Sequence, residues 1–204
     1  MTTLVEDIRE REIGPRRGVG LGTRLFHWLT AALLLGSFAA AWTFNSLAPG
    51  QLAAQLVEIH RSIGLTLPIL VIARLLWRFT HPLPALPLST PAWERWVAKA
   101  VQASLYLCLF VMPLIGWVAS NAEGDQVTFL GIFSLPELSP VDQLLSDRLF
   151  DFHATISYTL LGLIAFHVLG ALRHHFIKGD NVLKSMLDGS PRGESDPEIQ
   201  RSMS

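Results

Sequence analysis

Phe152-His153-Ala154-Thr155-Ile156-Ser157-Tyr158-Thr159-Leu160-Leu161-Gly162-Leu163-Ile164-Ala165-Phe166-His167 is the stretch that decides the fold. Residues 154–172 carry no charge over 19 positions, enough helix to cross a hydrocarbon core of about 30 Å. His153 and His167 are 14 residues apart, which on a helix is about 21 Å of rise but only about 40° of rotation. Such a helix presents two imidazoles on one face, near opposite surfaces of a membrane. A single histidine there reads as a packed, hydrogen-bonded residue. Two of them, in a medium that penalises unpaired polar groups, require partners elsewhere in the chain.

The composition outside this stretch points the same way. Of 204 residues 50% are hydrophobic and 16% charged, against about 25% charged in a typical soluble domain. The formal net charge of −1 gives no reason to expect a nucleic acid as partner. Cys108 is the only cysteine. That excludes an internal disulfide, an iron–sulfur cluster held by this chain alone, and covalent attachment of haem; Cys108 itself reads as a small packing residue.

Three further apolar runs complete the count. Residues 28–44 and 100–122 are uncharged over 17 and 23 positions, the latter tolerating Pro113 and Gly116. Residues 62–73 make only 12, and reach spanning length by continuing through Leu75-Leu76-Trp77 to Arg78, which places Arg74 inside the membrane. The expectation is an all-α integral membrane four-helix bundle over residues 24–178, with helices at about 24–45, 58–79, 95–121 and 148–178. Residues 1–23 read as a polar arm, the prolines at 82, 84, 87 and 91 as a stiff surface loop, and residues 123–148 as an acidic loop. Residues 179–204 read as a short interfacial helix carrying Val182, Leu183, Met186 and Leu187, started by Asp180, and then a disordered tail. The first run, with Arg16, Arg17 and Arg24 before it and Ala39-Ala40-Ala41 inside it, resembles a secretory signal, but cleavage would discard His27. Four crossings put both termini on one side, together with 14 of the Lys and Arg residues against two, Arg61 and Arg148, on the other. By the positive-inside rule the termini are cytoplasmic, in a bacterial inner membrane.

Orientation sorts the histidines by depth. His27 lies three residues after Arg24, and His167 six before Arg173, both in the cytoplasmic half; His60 follows Glu58, and His153 follows Asp151, so both enter from the outer surface. An inner pair, His27 with His167, and an outer pair, His60 with His153, can each hold a planar iron porphyrin between facing imidazoles. Zinc or copper fits less well, because each level supplies two ligands and no carboxylate or thiolate to complete the site. Four core histidines with ordinary hydrogen bonds are the bland alternative. Arg74, 14 residues after His60, falls at the inner level, where it pairs with a haem propionate or snorkels to the interface. Gly36, Gly64 and Gly162 leave room for a porphyrin or for a neighbouring helix.

His60-Arg61-Ser62-Ile63-Gly64 followed by Arg74 and Arg78, then Met112-Pro113-Leu114-Ile115-Gly116, and the closing run from His167 through His174-His175-Phe176 to Asp180-Asn181, resemble the prokaryotic cytochrome b561 family over about residues 20–187. The resemblance implies two haem b groups with His27, His60, His153 and His167 as axial ligands, passing electrons between a periplasmic-side donor and membrane quinone. It also implies a possible reaction, superoxide oxidation coupled to ubiquinone reduction, and an alternative role as the cytochrome b anchor subunit of a hydrogenase- or dehydrogenase-like complex. His174, with His175, Arg24 and Lys178, forms a candidate quinone site or else a basic belt that meets lipid phosphates. Arg61 and Arg148 flank the outer ligands as a candidate donor site. Around them stand Glu58, Glu123, Asp125, Glu137, Asp142, Asp147 and Asp151, an acidic setting that suits a cationic redox protein better than the superoxide anion.

Overall fold

The computed structural model describes residues 18–83 and 90–191; most of the N-terminal arm, the middle of the proline loop and the end of the tail lie outside the described residues. Four long helices form: α1 (Leu21–Ser46), α2 (Gln51–Thr80), α3 (Ala92–Glu123) and α4 (Gln143–Phe176), followed by a short α5 (Val182–Leu187). All four long helices are apolar and long enough to cross a membrane. Each begins before its apolar run does, because the start is set by a local signal in the backbone rather than by hydropathy. α2 starts after Gly50, seven residues ahead of the expected position. α4 starts after Asp142, whose carboxylate accepts from the Leu145 backbone N–H at 3.0 Å, so the acidic loop is shorter than expected.

The loop between α3 and α4 is not wholly irregular. Gly124 adopts φ 103, a left-handed conformation that glycine enters without strain, and there closes α3. Beyond it β1 (Thr128–Phe129) pairs antiparallel with β2 (Phe133–Ser134), with Phe129 opposite Phe133. This small hairpin sits over the first half of α2, where the Leu130 N–H donates to Ser62 Oγ and Thr128 Oγ1 donates to Glu58.

α1 packs along α2 and α3 along α4, while α2 also meets α3. α4 stands off from α1 and α2, which leaves a slot between the two hairpins. The slot is closed at mid-height by one buried cluster drawn from every long helix: Phe38, Leu67, Val71, Leu109 and Leu160. Leu160 is seven residues from His153 and from His167, and Leu67 seven from His60 and from Arg74. The cluster is thus an apolar floor between an upper and a lower layer of polar side chains. In lipid its contribution comes from close van der Waals packing, since leaving water gains a transmembrane helix little.

The short α5 does more than lie at an interface. Its Ser185 is fully buried and accepts from the Val19 N–H at 3.0 Å; Arg24 donates to the Leu187 carbonyl at 2.6 Å and the Trp28 indole to that of Met186 at 2.9 Å. The last carbonyls of a helix have no partner within it, and α1 supplies them. α5 is thereby fastened across the start of α1.

Candidate functional site

The four histidines come together as two couples. His60 and His153 face each other with ring centres 6.2 Å apart, and His27 and His167 with ring centres 6.1 Å apart. In a five-membered ring a nitrogen lies about 1.1 Å from the centre, for ring bonds of about 1.3 Å. With metal–imidazole bonds of about 2.0 Å, two imidazoles gripping one ion from opposite sides have centres about 6.2 Å apart. Both couples match that spacing. Among the described residues no group of three or more His, Cys, Asp or Glu gathers elsewhere to hold a metal ion. A two-imidazole site leaves the equatorial positions of an ion to another ligand, as a porphyrin provides.

The outer couple is oriented by its surroundings. His60 Nδ1 donates to the Ser37 carbonyl at 3.0 Å and lies 3.0 Å from Ser37 Oγ; His153 Nδ1 donates to the Met112 carbonyl at 3.1 Å. With Nδ1 engaged, Nε2 is the nitrogen left for a metal, and the hydrogen bond fixes both tautomer and ring direction. Gly116 makes the His153 position possible, because a Cβ there would lie 3.3 Å from Cε1 of the ring. The couple opens on a cavity of about 710 Å³, lined by Phe38, Gly64, Leu109 and Tyr158 among others. Gly64 has nothing within 4 Å of where its Cβ would be. The space, the glycine and the two directed imidazoles fit a porphyrin.

At the inner couple, Arg74 Nη2 is 3.4 Å from His27 Nδ1, and the guanidinium carbon stands 5.4 Å from the centre of the Tyr106 ring. Its buried Nε has no partner. A buried guanidinium N–H left unpaired is costly, and a carboxylate such as a haem propionate would satisfy it. The inner layer therefore fits the same group.

The remaining candidates are dispersed. Arg61 is held between Glu58 at 3.2 Å and Asp125, which the Gly124 turn brings against it. Arg148 is exposed. Lys178 pairs with Glu94, which also takes Arg173 at 2.9 Å; Arg24 is occupied with α5, and the His175 ring meets Phe176 edge-on, centres 4.7 Å apart. His174 pairs with Asp180 at 2.5 Å. Lys178, Arg24 and His174 thus each have their own partner. Sequence reasoning missed Ser37, the Met112 carbonyl and Glu94. The first two orient histidines through backbone oxygens, which no residue type advertises; Glu94, between Trp93 and Arg95 at the start of α3, was visible as an acidic residue in a basic segment.

A model of the family described as prokaryotic cytochrome b561 matches residues 18–189. The chain belongs to the prokaryotic cytochrome b561 family. It is 32% identical to cytochrome b561 homolog 2 of Escherichia coli (strain K12) over 173 residues, which cover 84% of this chain and 92% of that protein. It is 28% identical to homolog 1 of the same organism over 164 residues, 79% of this chain and 92% of the relative. A protein of Yersinia pestis named probable superoxide oxidase CybB is 27% identical over 167 residues, 79% of this chain and 90% of that one. As a cytochrome b561 the chain is a multi-pass bacterial membrane protein of electron transfer whose cofactor is haem b.

Proposed function

We propose that this cytochrome b561 carries electrons across the membrane between a donor on the periplasmic side and quinone, with two haem b groups held by His60 with His153 and by His27 with His167. The observation that supports this most is the pair of imidazole gaps, 6.2 and 6.1 Å, in two layers of one bundle. Haem b, when bound, supplies reversible one-electron chemistry. The chain's own residues do the rest. Ser37 and the Met112 carbonyl aim the outer imidazoles, Arg74 offers a cation to a propionate, and the Phe38–Leu160 layer excludes water between the two levels. The start of α1 and α5 face the cytoplasm in this reading, which the bias of 14 basic residues to two supports. There quinone would meet His174, with His175, Arg24 and Lys178 in the same belt.

At the outer end the donor is a cation. Among the described residues Arg61 is the one Lys or Arg lining the outer cavity; it is neutralised by Glu58 and Asp125, and the other charged residues on its lining, Glu123 and Asp151, are acidic. A negative mouth raises the encounter rate of a positive partner and lowers that of an anion. A second reading, oxidation of superoxide coupled to ubiquinone reduction, is favoured by the likeness to the Yersinia protein. Stopped-flow reduction of the haems at low and high ionic strength separates the two. With superoxide, a rate that rises as salt is added fits the acidic mouth; a fast rate that falls with salt would establish superoxide as the donor and remove the cationic one.

A further inference from the structure

We propose that Asp180 is a positioning residue that holds His174 as the proton donor to quinone at the inner end of the molecule; this rests on the quinone reading above. Asp180 is 3% exposed and the His174 side chain 13%, so the pair is largely shielded from water. One carboxylate oxygen of Asp180 accepts from His174 Nδ1–H at 2.5 Å, and the other accepts from the Val182 N–H, the first of α5, at 3.0 Å. The Asp180 N–H in turn donates to the His174 carbonyl at 3.2 Å. A single side chain thus locks the histidine and the start of α5 together, and α5 is itself fastened to α1 through Ser185, Met186 and Leu187. The basic residues at this end of the bundle are engaged elsewhere: Arg173 of α4 and Lys178, two residues beyond its end, are paired with Glu94 of α3, and Arg24 of α1 with the Leu187 carbonyl of α5.

The consequence is chemical. With Nδ1–H committed to a carboxylate, Nε2 is the nitrogen left to face a quinone oxygen, and the hydrogen bond fixes the ring's direction. Reduction of one quinone takes two electrons and two protons. The electrons arrive by the protein's electron-transfer activity. Each is matched by one proton passed from His174 Nε2 to a quinone oxygen, which leaves a neutral imidazole still donating from Nδ1 to Asp180; a proton from the cytoplasmic water recharges Nε2 before the second transfer. The same logic orients catalytic histidines in hydrolases, where an amide in place of the carboxylate leaves the fold intact and fixes the wrong tautomer.

Asp180→Asn tests this in the full chain, reconstituted in lipid nanodiscs with its haem. The amide oxygen can still accept from Val182, while the amide N–H now donates to Nδ1 of His174 and forces the neutral Nε2–H form. Two measurements are made: the rate at which a short-chain ubiquinone reoxidises pre-reduced haem, and the 15N spectrum of labelled histidine, which reports the tautomer. The expected result is a rate at least about 100-fold lower, a His174 signal that loses its Nδ1–H and keeps Nε2–H alone, and recovery of most of the rate in Asp180→Glu. An unchanged rate in Asp180→Asn, or a lower rate with the tautomer unaltered, overturns the role of Asp180 while leaving the quinone reading intact. Failure of ubiquinone to reoxidise the haem of the unaltered protein overturns that reading, and this proposal with it.

Discussion

Gly116→Ala is the most informative small change to the outer site. The added methyl would lie 3.3 Å from Cε1 and 3.4 Å from Nδ1 of His153, closer than packing normally allows, so the ring must give way by a few tenths of an ångström. Movement away from α3 stretches the 3.1 Å bond from Nδ1 to the Met112 carbonyl and narrows the 6.2 Å gap to His60, which already stands at the spacing two metal bonds require. Weakening one such hydrogen bond costs about 1 kcal/mol, and an outer-shell change of this kind lowers affinity for the held group by roughly 10-fold. Gly116→Val, with two more methyl groups, should abolish outer haem binding. Haem per chain by the pyridine haemochrome method, with a redox titration to distinguish the layers, reads both variants; the inner layer should be unaffected. Full outer occupancy and an unchanged outer midpoint potential in Gly116→Val would refute the placement of a haem between His60 and His153.

Three other outcomes follow from the same geometry. Gly64→Leu fills open space in the outer cavity, so it should cost the outer haem while leaving the apoprotein's thermal unfolding temperature no lower. Arg61→Ala removes a cation that two carboxylates surround; haem reduction by a cationic donor should become faster at low salt and the difference should vanish near 1 M salt, where the screening length is about 3 Å. Glu94→Gln unbalances Arg173 and Lys178 and should loosen the inner ends of α3 and α4, seen as a lower unfolding temperature and faster amide exchange in the last turn of α4.

The residues that span the membrane were readable because lipid restricts what a helix can carry. Uncharged runs gave the four crossings, and the 14-residue interval between His153 and His167 set two levels on one face. Arg74 marked the second helix despite breaking its apolar run, because the same interval separates it from His60; the structure brings it to within 3.4 Å of the inner couple. What the sequence concealed lies where backbone or long-range contacts decide. The helix starts at Gln51 and Gln143 depend on local turns, the two-residue hairpin on loop geometry, and the aim of each outer imidazole on carbonyls of Ser37 and Met112. Arg61 and Lys178 were visible as basic residues near the proposed sites, but their carboxylate partners, Asp125 and Glu94, are 64 and 84 residues away in the chain. Proximity of charge to a candidate ligand histidine therefore said nothing about whether that charge was free.

The most direct test of two stacked imidazole couples is the haem stoichiometry of the purified protein and of one histidine variant in each layer. Two haem b groups per chain are predicted, with one lost in His60→Ala and the other lost in His27→Ala, each variant keeping a low-spin, bis-histidine electron paramagnetic resonance signal from the haem that remains. A single haem in the unaltered protein, or a His60→Ala variant that keeps both, would contradict the account.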